Sequence, residues 1–410
     1  MTAPPPRETN STMPANNLPL AGVRVVEFCH VIMGPTCGLI LGDLGADVIK
    51  VEPAPNGDNT RRMVGSGAGF FATYNRNKRS LALDMKTPEG MEIAKKLIAS
   101  ADVLTENFRP GAMDALGLGY EALKKSHERL VYCSLKGFLS GPYDKRAALD
   151  EVVQMMAGLA YMTGPLGQPL RAGASVNDVM GGMFAAIGIL AALRERDSTG
   201  KGQLVQSALY ENCAFLVGQH MMQYVVTGTP AAPMPQRLQA AWAVYNVFDC
   251  ADGQLFIAVV TETQWKIFCE EFGFPHLLAD ERLKTNAMRA NNREVFFPFL
   301  REEFARWKRD DLEAKVAAAG LPFAPIAKPH ELFDDPHLKE SGGLLPLTLP
   351  DGTETVTPAL PIELAGRRLG TRLNPPKISE HGREILTELG YGATASDDLI
   401  ARGIVTPAAK

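Results

Sequence analysis

The chain is poor in several of the features that announce a function. Its six cysteines, Cys29, Cys37, Cys133, Cys213, Cys250 and Cys269, form no CxxC pair. Most lie in apolar segments, which reads as buried free thiols in a reducing compartment and not as a disulfide framework. Seven histidines show no HExxH or other paired metal spacing, so no metal site is expected. A formal net charge of −4 over 410 residues gives no global attraction to nucleic acid or to an anionic membrane. Any anionic ligand must therefore be held by a local cluster. The longest apolar run, Val179 to Leu193, is broken by three glycines and ends in Arg194-Glu195-Arg196. It is shorter than a membrane span and reads as a buried helix. The first residues, rich in Pro, Thr, Ser and Asn, lack an apolar signal core, so residues 1–17 read as a disordered lead-in. A cytoplasmic protein without nucleic-acid or membrane partners is expected.

What is present is the composition of a globular protein, 46% hydrophobic and 21% charged, long enough for two or more domains. Strand and helix signals alternate over the first ~140 residues. Strands are predicted at Gly22–Phe28, Ala46–Glu52, Ala101–Asn107 and Leu130–Leu135. Helices are predicted from Pro35 to Leu44 and from Thr87 to about Ser100, the latter with Pro88 in its first turn. This alternation indicates an α/β fold with a parallel, doubly wound sheet. Ligands in such sheets bind outside the carboxyl ends of the strands. Those ends carry His30 to Pro35, Asn107 to Gly111, and Lys136-Gly137-Phe138. The segment Asp150 to about Val226 reads as mostly helical. A hairpin over Trp242–Val260, with helices from Gln264 to Phe272 and from Asn292 to Ala318, makes 230–330 a smaller α+β unit. A final helix is predicted over Ser379–Leu389.

Asp178 is the candidate of most interest. It follows a short extended segment, Arg171-Ala-Gly-Ala-Ser-Val-Asn, and opens a helix rich in small residues. The positive end of the helix dipole is expected to favour its ionised form. Such a carboxylate is either a helix cap or a nucleophile toward an acyl group. Cys29, Cys37 or Ser175 would need a nearby histidine base, and His30, adjacent to Cys29, would point to the opposite face of a strand. Gly65–Gly69 lacks a preceding strand and a GKS ending, so it reads as a loop and not as a phosphate cradle. Asn75-Arg76-Asn77-Lys78-Arg79-Ser80 is a compact basic cluster. It is either a solvated face or, with Arg109 and Arg146, a local site for phosphates.

Taken together, these stretches resemble the family III CoA-transferases, which include the α-methylacyl-CoA racemases. The similarity runs from about Leu18 to Tyr391. It is carried by Leu20-Ala-Gly-Val-Arg-Val-Val-Glu-Phe28, Gly34-Pro35, Leu41 to Pro53, Asn75 to Ser80, Glu106-Asn-Phe-Arg-Pro-Gly111, and Gly181 to Gly202. The resemblance implies a Rossmann-like large domain with a parallel sheet, a smaller α+β domain, and an interlaced homodimer. The large domain would combine 18–226 with a return segment, 336–410, around a small domain at 227–335.

The resemblance also implies that Asp178 is the nucleophile. CoA would contact His30, Val31 and Met33, Leu83, Asp84, Met85 and Lys86, Asn107, Phe108 and Arg109, and Arg146 and Leu149. No permanent cofactor or metal is implied; a CoA thioester is a substrate. Ile32 stands where some transferases carry Gln. The glycine-run loop of those enzymes is absent, its place taken by Arg237-Leu-Gln-Ala-Ala-Trp242. The racemase branch carries a histidine in the stretch that here reads Arg146-Ala-Ala-Leu-Asp150. The transferase branch is therefore favoured, and because related transferases often use them the resemblance implies succinyl-CoA as donor and a small dicarboxylate as acceptor, with a racemase or a non-catalytic CoA-binding protein as alternatives. Arg62, Arg171 and Arg237 are candidates for the distal carboxylate. Ile32, Met33 and Trp242 are candidates for excluding water.

Overall fold

The computed structural model describes residues 17–234 and 242–409. The lead-in, except its last residue, and Arg237 lie outside the described residues. Residues up to Ala231 together with those from Asp335 onward form one compact unit, and Ala232–Asp334 form a second.

The first unit opens with β1 (Arg24–Phe28), α1 (Met33–Asp43), β2 (Asp47–Pro53), α2 (Phe70–Tyr74), β3 (Lys78–Leu83), α3 (Pro88–Ala99) and β4 (Val103–Glu106). Two short helices follow, α4 (Ala112–Ala115) and α5 (Tyr120–Leu123), then β5 (Val131–Lys136), α6 (Asp150–Met156) and α7 (Leu159–Thr163). The long α8 (Val176–Thr199), β6 (Leu204–Ala208) and α9 (Leu209–Thr227) complete this part. All six strands pair in parallel in the order β3-β2-β1-β4-β5-β6. The order reverses between β1 and β4, which makes their carboxyl ends the switch point where such sheets bind ligands. One apolar cluster, including Val25, Leu41, Val131 and Ile189, fills one face of the sheet. A second, including Ile49, Leu97, Leu104 and Ile385, fills the other.

Local chemistry explains most boundaries. Thr87 caps α3 by accepting from the Gly90 amide, with Pro88 in the first turn. Helix α1 lies close on the sheet because Gly38 has no side chain: a Cβ there would stand 1.8 Å from Glu27 Oε2. Helix α8 lies close on α1 because a Cβ on Gly181 or Gly182 would meet Met33 or Thr36 at 2.4–2.6 Å. Among the described residues, α8 is the one helix long and apolar enough to cross a membrane by length and composition. Its buried stripe, including Ala185, Ala186 and Ile189, belongs to the first core.

The basic cluster is neither a solvated face nor a phosphate site. Residues 75–80 are all buried, and their second half begins β3. Lys78 is fully enclosed and pairs with Glu27 on β1 at 2.9 Å. Arg76 pairs with Asp43 at 2.5 Å, and Arg79 with Asp47 at 2.7 Å and with Glu384 and Glu388 of the tail. Each cation has a carboxylate waiting on a neighbouring element, so the strand can be charged and buried at once. Strand β6 lies in the stretch read as mostly helical. Gly200 ends α8 at φ +72°, and Gly202 passes so close to the Leu130 carbonyl that a Cβ would stand 2.1 Å from it.

The second unit holds β7 (Val244–Cys250) and β8 (Gly253–Val259), the expected antiparallel hairpin. Then come α10 (Glu262–Phe272), α11 (Pro275–Ala279), α12 (Asn286–Asn291), α13 (Arg293–Phe304), α14 (Arg309–Ala318) and β9 (Phe323–Pro325), which joins β8. The single helix expected over Asn292–Ala318 is thus two. A phenylalanine-rich core, with Phe248, Phe268, Phe296 and Phe304 fully enclosed, holds this unit.

The chain then returns to the first unit through α15 (Pro336–Glu340), a hairpin of β10 (Leu344–Thr348) and β11 (Glu354–Pro358), α16 (Gly382–Glu388) and α17 (Ala393–Ala401). The tail lies along β3. The Asn77 amide donates to Leu373 O, the Ser379 amide to Ser80 Oγ, and the Thr406 amide to Ala82 O.

Candidate active site

A cavity of about 650 Å³ opens at the switch point, built wholly from residues of the first unit. The loops after β1, β4 and β5, the start of α6 and Asp178 of α8 form its walls. Of the residues expected to contact CoA, His30, Val31, Met33, Asn107, Phe108, Arg109, Arg146 and Leu149 line it. Leu83, Asp84, Met85 and Lys86 are not among its lining residues. Leu83 ends β3 and the other three follow it on the same carboxyl edge, two strand spacings or about 10 Å from β1. Ile32 and Met33 are buried in the wall. Trp242 belongs to the second unit.

The loop after β1 is held at both ends by the buried lysines. Lys50 donates to Cys29 O at 2.7 Å, and Lys78 to Pro35 O at 2.9 Å. Asn107, from the loop after β4, accepts from the His30 amide at 3.0 Å and donates to His30 O at 2.8 Å. These ties fix Val31 at φ +66°, a left-handed conformation that costs a β-branched residue ~1–2 kcal/mol. A Cβ at position 34 would collide with Cys29, which explains Gly34. The His30 ring lies 5.8 Å from that of Phe108, and partial burial holds its pKa below the usual value. Arg109 and Arg146 are exposed at the rim, with Arg146 stacked over Tyr143 at 5.0 Å. They remain available to phosphates where Arg76, Lys78 and Arg79 do not.

Asp178 is not a helix cap. It is the third residue of α8, and Ser175 at the cap position makes no side-chain bond to the helix. The amides of Asn177 and Asp178 instead donate to Oδ2 of Asp150, at 2.8 and 3.0 Å. The expectation that the helix start keeps Asp178 ionised is reversed. Burial, then the charges of Asp150 and Glu151, push its pKa up to about 7, against an opposing pull from Arg171. Arg171 is itself paired with Glu151. Arg62 is turned to Asn56 O and Asn59.

Three groups here went unrecognised as site residues. Asp150 stood out only as the end of a stretch without histidine. Burial, and after it the Asp178 charge, raises the hydroxyl pKa of Tyr74 at the end of α2. Glu106, raised by burial, accepts from the Phe108 amide at 2.9 Å inside the cavity wall. Its place in Glu106-Asn-Phe-Arg-Pro-Gly111 was the available signal.

A family model described as CoA-transferase family III matches residues 20–382. A succinate–glutarate CoA-transferase from Agrobacterium fabrum is 35% identical over 392 residues, covering 92% of this chain and 97% of that one. The human succinyl-CoA:glutarate CoA-transferase is 31% identical over 402 residues, covering 95% and 91%. A succinyl-CoA:mesaconate CoA-transferase from Haloarcula hispanica is 33% identical, covering 91% and 97%. Among solved structures, a CaiB/BaiF family protein from Brucella suis superposes with a TM-score of 0.80 at 37% identity, covering 91% of this chain and all of that one.

Proposed function

The chain belongs to CoA-transferase family III, and from that premise we propose that it moves CoA from succinyl-CoA to a small dicarboxylate, with Asp178 as nucleophile. The observation that carries this is the half-buried Asp178 carboxylate in the wall of a cavity lined by the loops after β1, β4 and β5. Relatives named for glutarate and mesaconate support a dicarboxylate acceptor.

Asp178 attacks the thioester carbonyl, the carbon–sulfur bond breaks, and CoA thiolate leaves an aspartyl–succinyl anhydride. Thiolate then attacks the Asp178 carbonyl, releasing succinate and leaving an aspartyl-CoA thioester. The acceptor carboxylate displaces thiolate to give a second anhydride, and thiolate attacks the acceptor carbonyl. The new thioester departs and Asp178 is a carboxylate again. Covalent catalysis divides one difficult exchange into four acyl transfers. A carboxylate with a pKa near neutrality is more basic, and therefore a stronger nucleophile, than an ordinary aspartate. The buried Ile32 and Met33 keep water from the anhydride. Arg109 and Arg146 receive the phosphates of CoA, with Lys86 further along the edge. Arg171 is the dicarboxylate candidate within electrostatic reach of Asp178.

The proposal includes an interlaced homodimer. The outer face of α8 and α9 exposes Ile187, Phe215, Met222, Val225 and Val226, the last at 81%, an apolar patch suited to a second copy. Six free cysteines, five of them buried, fit a reducing compartment such as the cytoplasm. The test is incubation of the purified chain with succinyl-CoA and a panel of C4–C6 dicarboxylates, with new acyl-CoA species followed by mass spectrometry. Exchange is expected with at least one dicarboxylate and none for Asp178→Ala. No exchange across the panel, or full activity of Asp178→Ala, overturns the reading.

A further inference from the structure

We propose that Asp150 is a positioning residue for the transfer reaction, fixing the backbone from which Asp178 projects and placing a second negative charge beside it. The inference rests on Asp178 being the nucleophile.

Asp150 is 4% exposed and opens α6, yet it serves another helix. Its Oδ2 accepts both the Asn177 and the Asp178 amides of α8. Its Oδ1 accepts from Nε2 of the fully buried Gln154, whose own Oε1 accepts from the Ala172 amide at 2.8 Å. One turn of α6 thus grips both flanks of the loop that delivers Asp178. The neighbouring Glu151 holds Arg171 in the same stretch.

A local cap would be simpler. Ser175 occupies the cap position, and serine is among the preferred residues there, yet it makes no side-chain bond. The protein instead satisfies those amides with a buried carboxylate next to the nucleophile. Two like charges at close range are unfavourable while both are ionised. Acylation removes the charge of Asp178 and relieves that repulsion. Asp150 therefore favours the covalent states over the resting carboxylate, an interaction that differs between ground state and intermediate and so affects turnover.

The titratable groups around Asp178 are Asp150 and Glu151 from α6, Arg171 from the preceding loop and Tyr74 from α2. His30, Glu106 and Arg146 stand in the same cavity wall. Of these, Asp150 is the one that accepts a hydrogen bond from the Asp178 amide, and asparagine removes its charge with little change of volume.

The experiment compares wild type, Asp150→Asn, Asp150→Glu and Asp178→Asn in the succinyl-CoA exchange from pH 5.5 to 9, with CoA binding as the folding check. The acidic limb of kcat/KM reports ionisation of the free enzyme's nucleophile. In Asp150→Asn the limb is expected to move down by roughly one unit, the loss of one like charge. At pH 8 its kcat is expected to fall at least tenfold, and the CoA adduct on the protein, weighed intact, to diminish. Asp150→Glu, which keeps the charge, retains the wild-type limb. A limb that does not move in Asp150→Asn overturns the proposal, whether or not kcat falls, because a merely structural role lowers activity at every pH alike. Should that variant fail to bind CoA, Gln154→Met decides: it keeps the charge and loses the orienting bond, so kcat must fall at unchanged KM for succinyl-CoA, and a KM that rises as kcat falls overturns the proposal. Exchange by Asp178→Asn would instead refute the underlying assignment of the nucleophile. An inactive Asp178→Asn beside a wild-type-like Asp150→Asn would refute only the positioning role.

Discussion

Replacing Asp178 by asparagine should make the protein more stable, and by an amount that depends on pH. In the folded chain the Asp178 carboxyl titrates at about 7, against 3.8 for an ordinary aspartate. The folded state therefore holds the proton more tightly than the unfolded chain does. Well below 3.8 the group is neutral in both states and contributes nothing to the difference. As pH rises through that range the unfolded chain ionises first, and the folded state loses relative stability until its own group ionises near 7. The shift of about three units, at about 1.4 kcal/mol each, puts the full loss on the order of 4 kcal/mol. That is a large part of the stability of a typical native protein. Asparagine has the same shape and never ionises. The difference in unfolding free energy between Asp178→Asn and wild type should be about 0.6 kcal/mol at pH 4 and reach most of that value by pH 8. Urea titration at several pH values, followed by a probe in the first unit, measures it. Equal differences at pH 5 and pH 8 would refute the assignment of a half-buried carboxylate with a raised pKa at this position. Thermal scans of the CoA-saturated protein would not serve, since ligand binding adds its own stabilisation.

Other expectations follow from the same geometry. Lys78→Met leaves Glu27 enclosed with only the 3.5 Å contact to Lys50 and releases the Pro35 carbonyl, so unfolding free energy should fall by about 3–5 kcal/mol in denaturant titration. Asn107→Ala removes both bonds that hold the His30 backbone, about 1–3 kcal/mol together, and should raise KM for the CoA thioester more than it lowers kcat. Met222→Glu places a charge in the exposed face of α9 and should reduce the proposed homodimer to monomer in sedimentation. An unchanged dimer would place the subunit interface elsewhere.

The sheet and its ligand-binding edge were legible because β1, β2, β4 and β5 each carry a short block of Val, Ile, Leu or Tyr and are separated by helical stretches. That pattern belongs to a strand buried on both faces. The loops that line the cavity could be placed from strand ends alone. Strand β3 was hidden because it begins with Lys78 and Arg79, and no local rule says that Glu27 and Asp47 stand ready to neutralise them. The position of Asp178 at a helix start was also legible, but its electrostatics were not. Helix dipole and burial act on it with opposite sign, and the carboxylate that adds to burial, Asp150, lies 28 residues upstream, where no capping motif would look for it.

The tail along β3 has a consequence for how the molecule is made. Ala82 leaves the ribosome 324 residues before Thr406, the residue that bonds to its carbonyl. At about 5–20 residues per second, that interval is roughly 16–65 s. Throughout it, an outer strand of the sheet stands without the segment that covers it, while Ala232–Asp334 is synthesised in between and can condense on its own core. The nascent chain therefore passes through a stage in which its later half-domain is finished and its earlier one is open along an edge that invites pairing with other chains. A stop codon just before Asp335 would make that stage permanent, yielding a polypeptide that carries every residue of the cavity wall and yet aggregates.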